Sequence, residues 1–578
     1  MADKILKFTD SAPLLIGVGD RLMNEGKFDS AADFYYRAVQ KGGKGVDGAM
    51  TRLASVYHAT GDTMEAIVWY IRALHVNHEC EAAYEGLVKE YCELGFELRD
   101  TAVYYFTLGR NKGIMTEEEV EDITCLTEFC EELDDEMSGR VMRGSRLKES
   151  ANDAMRYDRG KRFMRENALM IAYSVFAAIE ENDPNYYNAR TMMMKIDAER
   201  GQYEIAAATA DSLIKAGVNE DVALIVGAKA YREIGEKKRS KEMFEKVTDT
   251  SRFACDDLEI AAEVAWKNGS HDKARKFIDR TLEYIPWDRK LLLASALNYA
   301  NLGETEKSRL ELVKLRRLYP DDKAVEYYFD SVLRGEKGFD MLETVPELEA
   351  LRREDAIDCL VTRLSTIDKV EKEAKKNRNF AENLKWLFQE GICDLQGEIG
   401  AFLARSDYFL DMLQQFLIDP RAEEEAKKEI LLELLTVEEP YSIAVTTGDL
   451  YRVLEFDPTR TTGDYARDVH RYAFVMLAFY CEGFASDLAD VMEMLCADVE
   501  KLGEEDEDGL DIPAVAAAIC YRSNVSRTNM TKPDCVKLFG CNKNKFESYV
   551  ESPEFTDAGI RRPRAKDFML RRLIKRGE

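Results

Sequence analysis

A glycine, or in one case an asparagine, returns every 34 residues through the middle of this chain, at Asn167, Gly201, Gly235, Gly269 and Gly303. Four equal intervals in succession tie the chain to a repeat architecture. A unit of that length holds two helices and cannot bury its apolar faces without a neighbour. Each of these positions lies in a short turn between two apolar helical stretches, as in the segments 199–203 and 301–305. Glycine there supplies the left-handed backbone that ends the first helix. Five residues on comes a small residue, Ala172, Ala206, Ser240, Ala274 and Ser308, where the two helices of a hairpin must approach closely. Pro184, Pro286 and Pro320 stop the second helix before the next repeat begins.

The N-terminal part carries the same pattern. Gly26 with Phe28, Ala31, Tyr35 and Ala38 matches Gly61 with Ala66, Tyr70 and Ala73, and Gly95 follows 34 residues after Gly61. Gly19 and Leu22 precede Gly26, and Leu53, Ala54 and Tyr57 precede Gly61. In these positions the chain resembles the tetratricopeptide repeat family, although the first-position tryptophan is absent and one residue is inserted between Gly95 and Ala102. The resemblance covers roughly residues 11 to 335. It implies an all-α superhelical solenoid of helical hairpins, about three in a block at 11–113 and about five in a second block at 156–337. The stretch 114–155 between them, with Glu117-Glu118-Glu119 and the acidic run 131–136, reads as an irregular helix and loop with a solvated charged face.

After Gly338 the register is lost while the helical signal continues. Segments 409–417 and 426–435, joined by Asp419-Pro420-Arg421, read as antiparallel amphipathic helices within a region 338–502 of unassigned family. Residues 503–511 read as an acidic linker, and 512–578 change character. An alanine-rich helix is followed by Thr531, a short helix 532–539, a turn at Gly540-Cys541-Asn542 and a second short helix 543–550. Cys535, Val536, Phe539, Gly540, Cys541, Phe546 and Tyr549 fall where a helix-turn-helix needs apolar or turn residues. This stretch of about 40 residues resembles half of a cyclin-box repeat of the transcription factor IIB kind, with valine at 536 where alanine is usual.

The formal charge of -28 argues against most of the surface lying on nucleic acid or anionic lipid. Basic residues cluster only at the C-terminus: Lys543, Asn544 and Lys545 on the last short helix, then Arg561, Arg562, Arg564, Arg571 and Arg572 in the tail. These are the candidates for DNA or RNA contact; docking on an acidic surface of the same chain, or plain solvation, is the structural alternative. No segment has the roughly 18 to 20 apolar residues of a membrane span, and the N-terminus lacks a basic stretch followed by an apolar run. A cytoplasmic location is expected, and the 12 cysteines, set singly at apolar helical positions such as Cys92, Cys255, Cys359 and Cys496, do not form a disulfide framework.

Signs of catalysis are missing. There are five histidines. His75, His78 and Cys80 lie close together but lack a second pair of ligands, so a helix-end cluster is favoured over a zinc site. His58, His271 and His470 each stand alone as surface or turn residues. Gly42-Gly43-Lys44-Gly45 has no preceding strand and is a loop between hairpins. No cofactor motif is visible, and the paired carboxylates expected among 109 acidic residues say nothing about catalysis.

The expectation is therefore a non-catalytic scaffold that binds other proteins in a groove lined by first helices 13–24, 47–59 and 81–93. Candidates for that groove are Arg21, Asn24, Arg52, Tyr57, Lys89 and Tyr91, with packing between hairpins as the competing role for the two tyrosines. Acidic surroundings imply a partner of basic character, such as a basic peptide segment. The alternative is a regulator whose repeats bind a partner while residues 512–576 contact nucleic acid.

Overall fold

The computed structural model describes residues 11–94, 98–113, 153–165, 168–248, 253–341, 366–389, 396–481, 483–505, 509–523, 525 and 530–552. The chain forms two compact units, Met1–Val345 and Pro346–Glu578.

In the first unit the described helices pair into antiparallel hairpins. The N-terminal hairpins are α1 (Ala12–Asn24) with α2 (Phe28–Lys41), α3 (Val46–Thr60) with α4 (Thr63–Val76), and α5 (Glu81–Leu94) with α6 (Arg99–Asn111). Five more follow: α7 (Asp153–Arg165) with α8 (Leu169–Ala177), α9 (Tyr186–Glu199) with α10 (Tyr203–Ala216), α11 (Glu220–Glu233) with α12 (Lys237–Phe244), α13 (Cys255–Lys267) with α14 (His271–Tyr284), and α15 (Arg289–Asn301) with α16 (Thr305–Leu318). A single helix, α17 (Lys323–Leu333), packs on the last hairpin.

One hydrogen-bonded turn recurs in this array. Gly26, Gly61, Gly201, Gly235, Gly269 and Gly303 all hold positive φ between 70° and 89°. The residue after each donates its N–H to the carbonyl five positions back: Lys27 to Leu22, Asp62 to Tyr57, Gln202 to Asp197, Glu236 to Tyr231, Ser270 to Ala265 and Glu304 to Tyr299, all at 2.8 or 2.9 Å. That bond satisfies a carbonyl the helix end would leave unpaired and fixes the reversal. Ala168 makes the same bond to Phe163 at 2.8 Å, so the repeat led by Asn167 closes in the same way. Asn167 and Gly95 themselves lie outside the described residues, as does 114–152.

The small residues predicted at the hairpin crossing, Ala172, Ala206, Ser240, Ala274 and Ser308, are fully buried. Close approach is tightest where a ring lies over a glycine. A Cβ on Gly19 would stand 2.4 Å from the Tyr35 ring, and one on Gly86 would stand 2.2 Å from the Tyr70 ring.

The N-terminal hairpins also touch the last one. Tyr319 Oη donates to Asp62 at 2.8 Å, Arg317 pairs with Asp29 at 2.9 Å, and Phe28 and Trp287 meet edge to face. The hydroxyls of Tyr36 and Tyr57 both reach the Leu318 carbonyl. Most of this contact uses the second helix α2 and the N-cap of α4.

The second unit has one continuous core running from Val370 to Val550. Its helices are α18 (Ile367–Lys376), α19 (Arg378–Gln389), α20 (Gln396–Leu403), α21 (Leu410–Ile418) and α22 (Glu424–Leu434). A β-hairpin follows, β1 (Tyr441–Thr447) and β2 (Leu450–Phe456), antiparallel with Thr447 opposite Leu450 across a two-residue Gly448-Asp449 turn. This hairpin corrects the expectation that 338–502 is helical throughout; the segment 441–456 is rich in β-branched and aromatic residues around a Gly-Asp turn, the local chemistry of strands. Buried Lys427 ties it down, donating to the Thr446 carbonyl at 3.0 Å and hydroxyl at 2.7 Å, and burial pulls its pKa down to about 8. The fold remains overwhelmingly helical.

The unit ends with α23 (Asp464–Ala478), α24 (Ala485–Glu505), α25 (Ile512–Ser523), α26 (Lys532–Phe539) and α27 (Lys543–Val550). The acidic stretch read as a linker from 503 is still helix as far as Glu505, and Gly503 packs under the Tyr465 ring. Thr531 and Asp534 form a reciprocal capping box that starts α26, and Gly540, at φ 58°, ends it. Cys535, Phe539 and Phe546 are buried, while Val536, Cys541 and Tyr549 pack partly buried against the core.

Candidate functional site

First helices of successive hairpins stand beside one another, with α3 between α1 and α5, and α13 beside α11. In the N-terminal hairpins Arg21, Asn24 and Lys89 are exposed on this row. Arg52 is half exposed and occupied: its Nε donates to Asp20 at 2.7 Å, and Asp20 also accepts from Tyr35 Oη at 2.8 Å. Tyr57 and Tyr91 do not line a groove. Both are fully buried; Tyr91 stacks on Tyr105 with ring centroids 5.7 Å apart, and the Tyr57 hydroxyl is taken by Tyr36 at 2.5 Å and by the Leu318 carbonyl. Their large apolar rings are worth more to the hairpin core than to a wet surface.

The last hairpins show what a first-helix face can hold. The chain leaves α17 through Gly335 and runs back without regular structure over residues 336–341. Asn301, at the end of α15, grips it: Oδ1 accepts from the N–H groups of Gly338 at 2.7 Å and Phe339 at 2.9 Å, and Nδ2 donates to the Phe339 carbonyl at 2.9 Å. Trp266 Nε1, on α13, donates to the same carbonyl at 2.9 Å, and the Phe339 ring meets Tyr328 edge to face at 5.7 Å. Two adjacent first helices thus hold an extended segment through its main chain, with one side-chain ring docked beside it. Asn301 and Trp266 are not among the residues expected to line a groove. The signal was present in the register: Asn301 stands two residues before Gly303, as Asn24 stands two before Gly26.

His58 also departs from expectation. It does not stand alone: Nδ1 lies 3.0 Å from Glu90 and 3.7 Å from Glu93, across from α3 to α5. Nor is His470 a surface residue. It is buried, with Nδ1 2.9 Å from the Thr461 hydroxyl, and burial pulls its pKa down to about 4. His75 is also held below its usual range, by burial and then by His78, and burial raises the Cys80 thiol.

At the C-terminal end Lys543, Asn544 and Lys545 are exposed on the first turn of α27, which Asn542 caps, and Lys545 lies 3.7 Å from Asp511. Arg561, Arg562, Arg564, Arg571 and Arg572 lie outside the described residues. Among the described residues no helix is long and apolar enough to cross a membrane.

Paired helices, a positive-φ glycine turn on a 34-residue register and a buried small residue five positions on decide the architecture. The repeats are tetratricopeptide-like helical hairpins. No protein-family model matches the chain, and no curated protein matches it. Among solved structures it is similar to the TPR domain of P58(IPK), with 15% identity over 56% of this chain and 98% of that one and a TM-score of 0.23. It is also similar to a tetratricopeptide repeat protein from Parabacteroides merdae, at 17% identity, 48% and 94% coverage and TM-score 0.21. A third is PilW, described as a type IV pilus biogenesis factor, at 17% identity, 43% and 96% coverage and TM-score 0.20. Likenesses of this size add no weight to the assignment, which rests on the hairpins themselves.

Proposed function

We propose that this protein is a non-catalytic scaffold whose N-terminal hairpins hold extended segments of other proteins on their first helices. One observation carries the reading: Asn301 and Trp266 already hold such a segment, Gly338–Phe339, by its main chain on first helices of the same array. A side-chain amide that both donates to and accepts from one stretch of backbone recognises extended chain of almost any sequence, and neighbouring pockets then select side chains. Asn24 has the same place in its hairpin and is exposed, with Arg21 on the same helix and Lys89 two helices along the row. The chain's -28 charge and the exposed Glu93 favour segments of basic character.

Quantitative affinity capture with the wild-type chain and with N24A and N24W variants tests this. Proteins recovered by the wild type and depleted in both variants support the reading. An unchanged set of recovered proteins contradicts it.

A second reading is favoured by the exposed Lys543, Asn544 and Lys545 on the first turn of α27, where the two lysines suit a phosphate. In it the C-terminal helices contact nucleic acid while the repeats bind protein. Duplex binding by the full chain at low salt that is lost in K543E/K545E supports it; absence of binding at low salt rules it out.

A further inference from the structure

Glu90 is a buried carboxylate without a matching donor. It is 1% exposed, and neither Oε1 nor Oε2 receives a hydrogen bond of acceptable geometry among the described residues. His58 Nδ1 is 3.0 Å from Oε1, but as a close contact rather than an aligned hydrogen bond. A charge buried in that state is destabilising until a donor or a cation meets it. Glu93 brings a second carboxylate to the same point, 3.7 Å from the same nitrogen. One imidazolium would leave one negative charge over; one divalent cation balances both carboxylates.

The spacing fits a metal. One ligand atom each from His58, Glu90 and Glu93 lies within 4.8 Å of the others. Bonds of roughly 2.1 Å to nitrogen and oxygen in a tetrahedral site put ligands about 3.4 Å apart, and the measured separations of 3.0 and 3.7 Å fall on either side. Glu90 and Glu93, three apart on α5, share a helix face, and His58 comes from the adjacent first helix α3. Charged and polar groups near Glu90 include Lys89 on α5 and Tyr70 on α4.

We propose that His58, Glu90 and Glu93 bind a divalent transition metal on the first-helix face of the N-terminal hairpins. One imidazole and two carboxylates suit zinc, cobalt, manganese or ferrous iron rather than a thiolate-seeking ion. His58 and Glu93 are partly exposed, so the three protein ligands leave a coordination position on the solvent side, open to water or to a partner's side chain. In register His58 corresponds to Trp266 and Glu93 to Asn301, three and two residues before their turn glycines, so the ion sits where the last hairpins grip the extended segment. The proposal goes beyond the scaffold reading and does not depend on it.

The probe is cobalt(II), titrated into the chelator-stripped full-length chain and followed by visible absorption. The expected result is one cobalt per chain, with ligand-field bands and no thiolate-to-metal charge transfer. Binding weakens by at least about a hundredfold in H58N and in E93Q, since even loss of supporting outer-shell groups costs ten- to a hundredfold, and it is unchanged in H75A/H78A. E93Q changes a half-exposed residue, and circular dichroism of both ligand variants separates lost binding from lost folding. As a second measurement, zinc should raise the melting temperature of the wild type and of neither ligand variant. Absence of binding, a thiolate band, or binding retained in folded H58N and E93Q overturns the proposal.

Discussion

The side chain of Asn301 and the main chain of Phe339 pair head to tail: Nδ2 donates to the carbonyl and Oδ1 accepts the N–H, both at 2.9 Å. The pairing completes a peptide unit's hydrogen bonds without a β-strand partner, which is how a helical surface can hold extended chain. N301A leaves those groups to water. Hydrogen exchange over 336–341 should accelerate sharply, with a stability loss of about 1–3 kcal/mol if the released groups stay buried. Unchanged protection of Gly338 and Phe339 would show that Asn301 does not hold the segment.

Tyr319 and Asp62 join ends of the first unit that lie 257 residues apart in sequence. Burial, reinforced by Asp62, pushes the tyrosine pKa up, so the phenol stays protonated and donating. Y319F removes that donor and should raise exchange rates in both α4, which Asp62 caps, and α16 at a cost of about 1.5–3 kcal/mol, the range for a hydrogen bond to a charged group. An effect confined to α16 would mean that the two ends are not joined in solution.

Gly86 and Gly17 make a matched pair. Alanine at 86 drives a methyl group into the Tyr70 ring, and overpacking of that kind costs about 1–3 kcal/mol. Alanine at 17, in α1 with open space around it, should be neutral or stabilise by about 0.5–1 kcal/mol through helix propensity. Thermal melts of the two variants test the pair; equal effects would refute the packing described for Tyr70.

His470 makes the second unit sensitive to acid. Its pKa falls from 6.5 to about 4 in the folded protein because burial disfavours the imidazolium. The unfolded chain therefore takes up the proton first. The contribution is whole above pH 6.5, is lost as pH falls toward 4, and amounts to roughly 3 kcal/mol. Urea denaturation across that range should show a steeper loss for the wild type than for H470Q. Parallel slopes would mean that His470 takes its proton in the folded state.

Much of the array was legible because its signals are local. A turn glycine, a small residue five positions later and a 34-residue period act within one hairpin, and each appears at the predicted number. The short helices 532–539 and 543–550 were legible for the same reason, through Thr531 and Gly540. The candidate site was far less so. His58 and Glu90 are 32 residues apart and meet only once α3 and α5 stand side by side, and Asn301 meets Phe339 only because the chain turns back at Gly335. Tyr57 and Tyr91 were ambiguous, since an aromatic on a first helix serves packing or binding equally well until its burial is known. The hairpin 441–456 hid behind the helical periodicity on both sides of it.

Partners held on the first-helix face of the N-terminal hairpins would lie within reach of Asn24 and Lys89. Site-specific photo-crosslinking in cells checks this, with a photoreactive residue placed at Asn24, at Lys89, and at Lys238 on the second helix α12, whose side chain is 93% exposed. The same crosslinked protein is expected from Asn24 and Lys89 and none of it from Lys238. Crosslinks from Lys238 alone, or equally from all three positions, would contradict it.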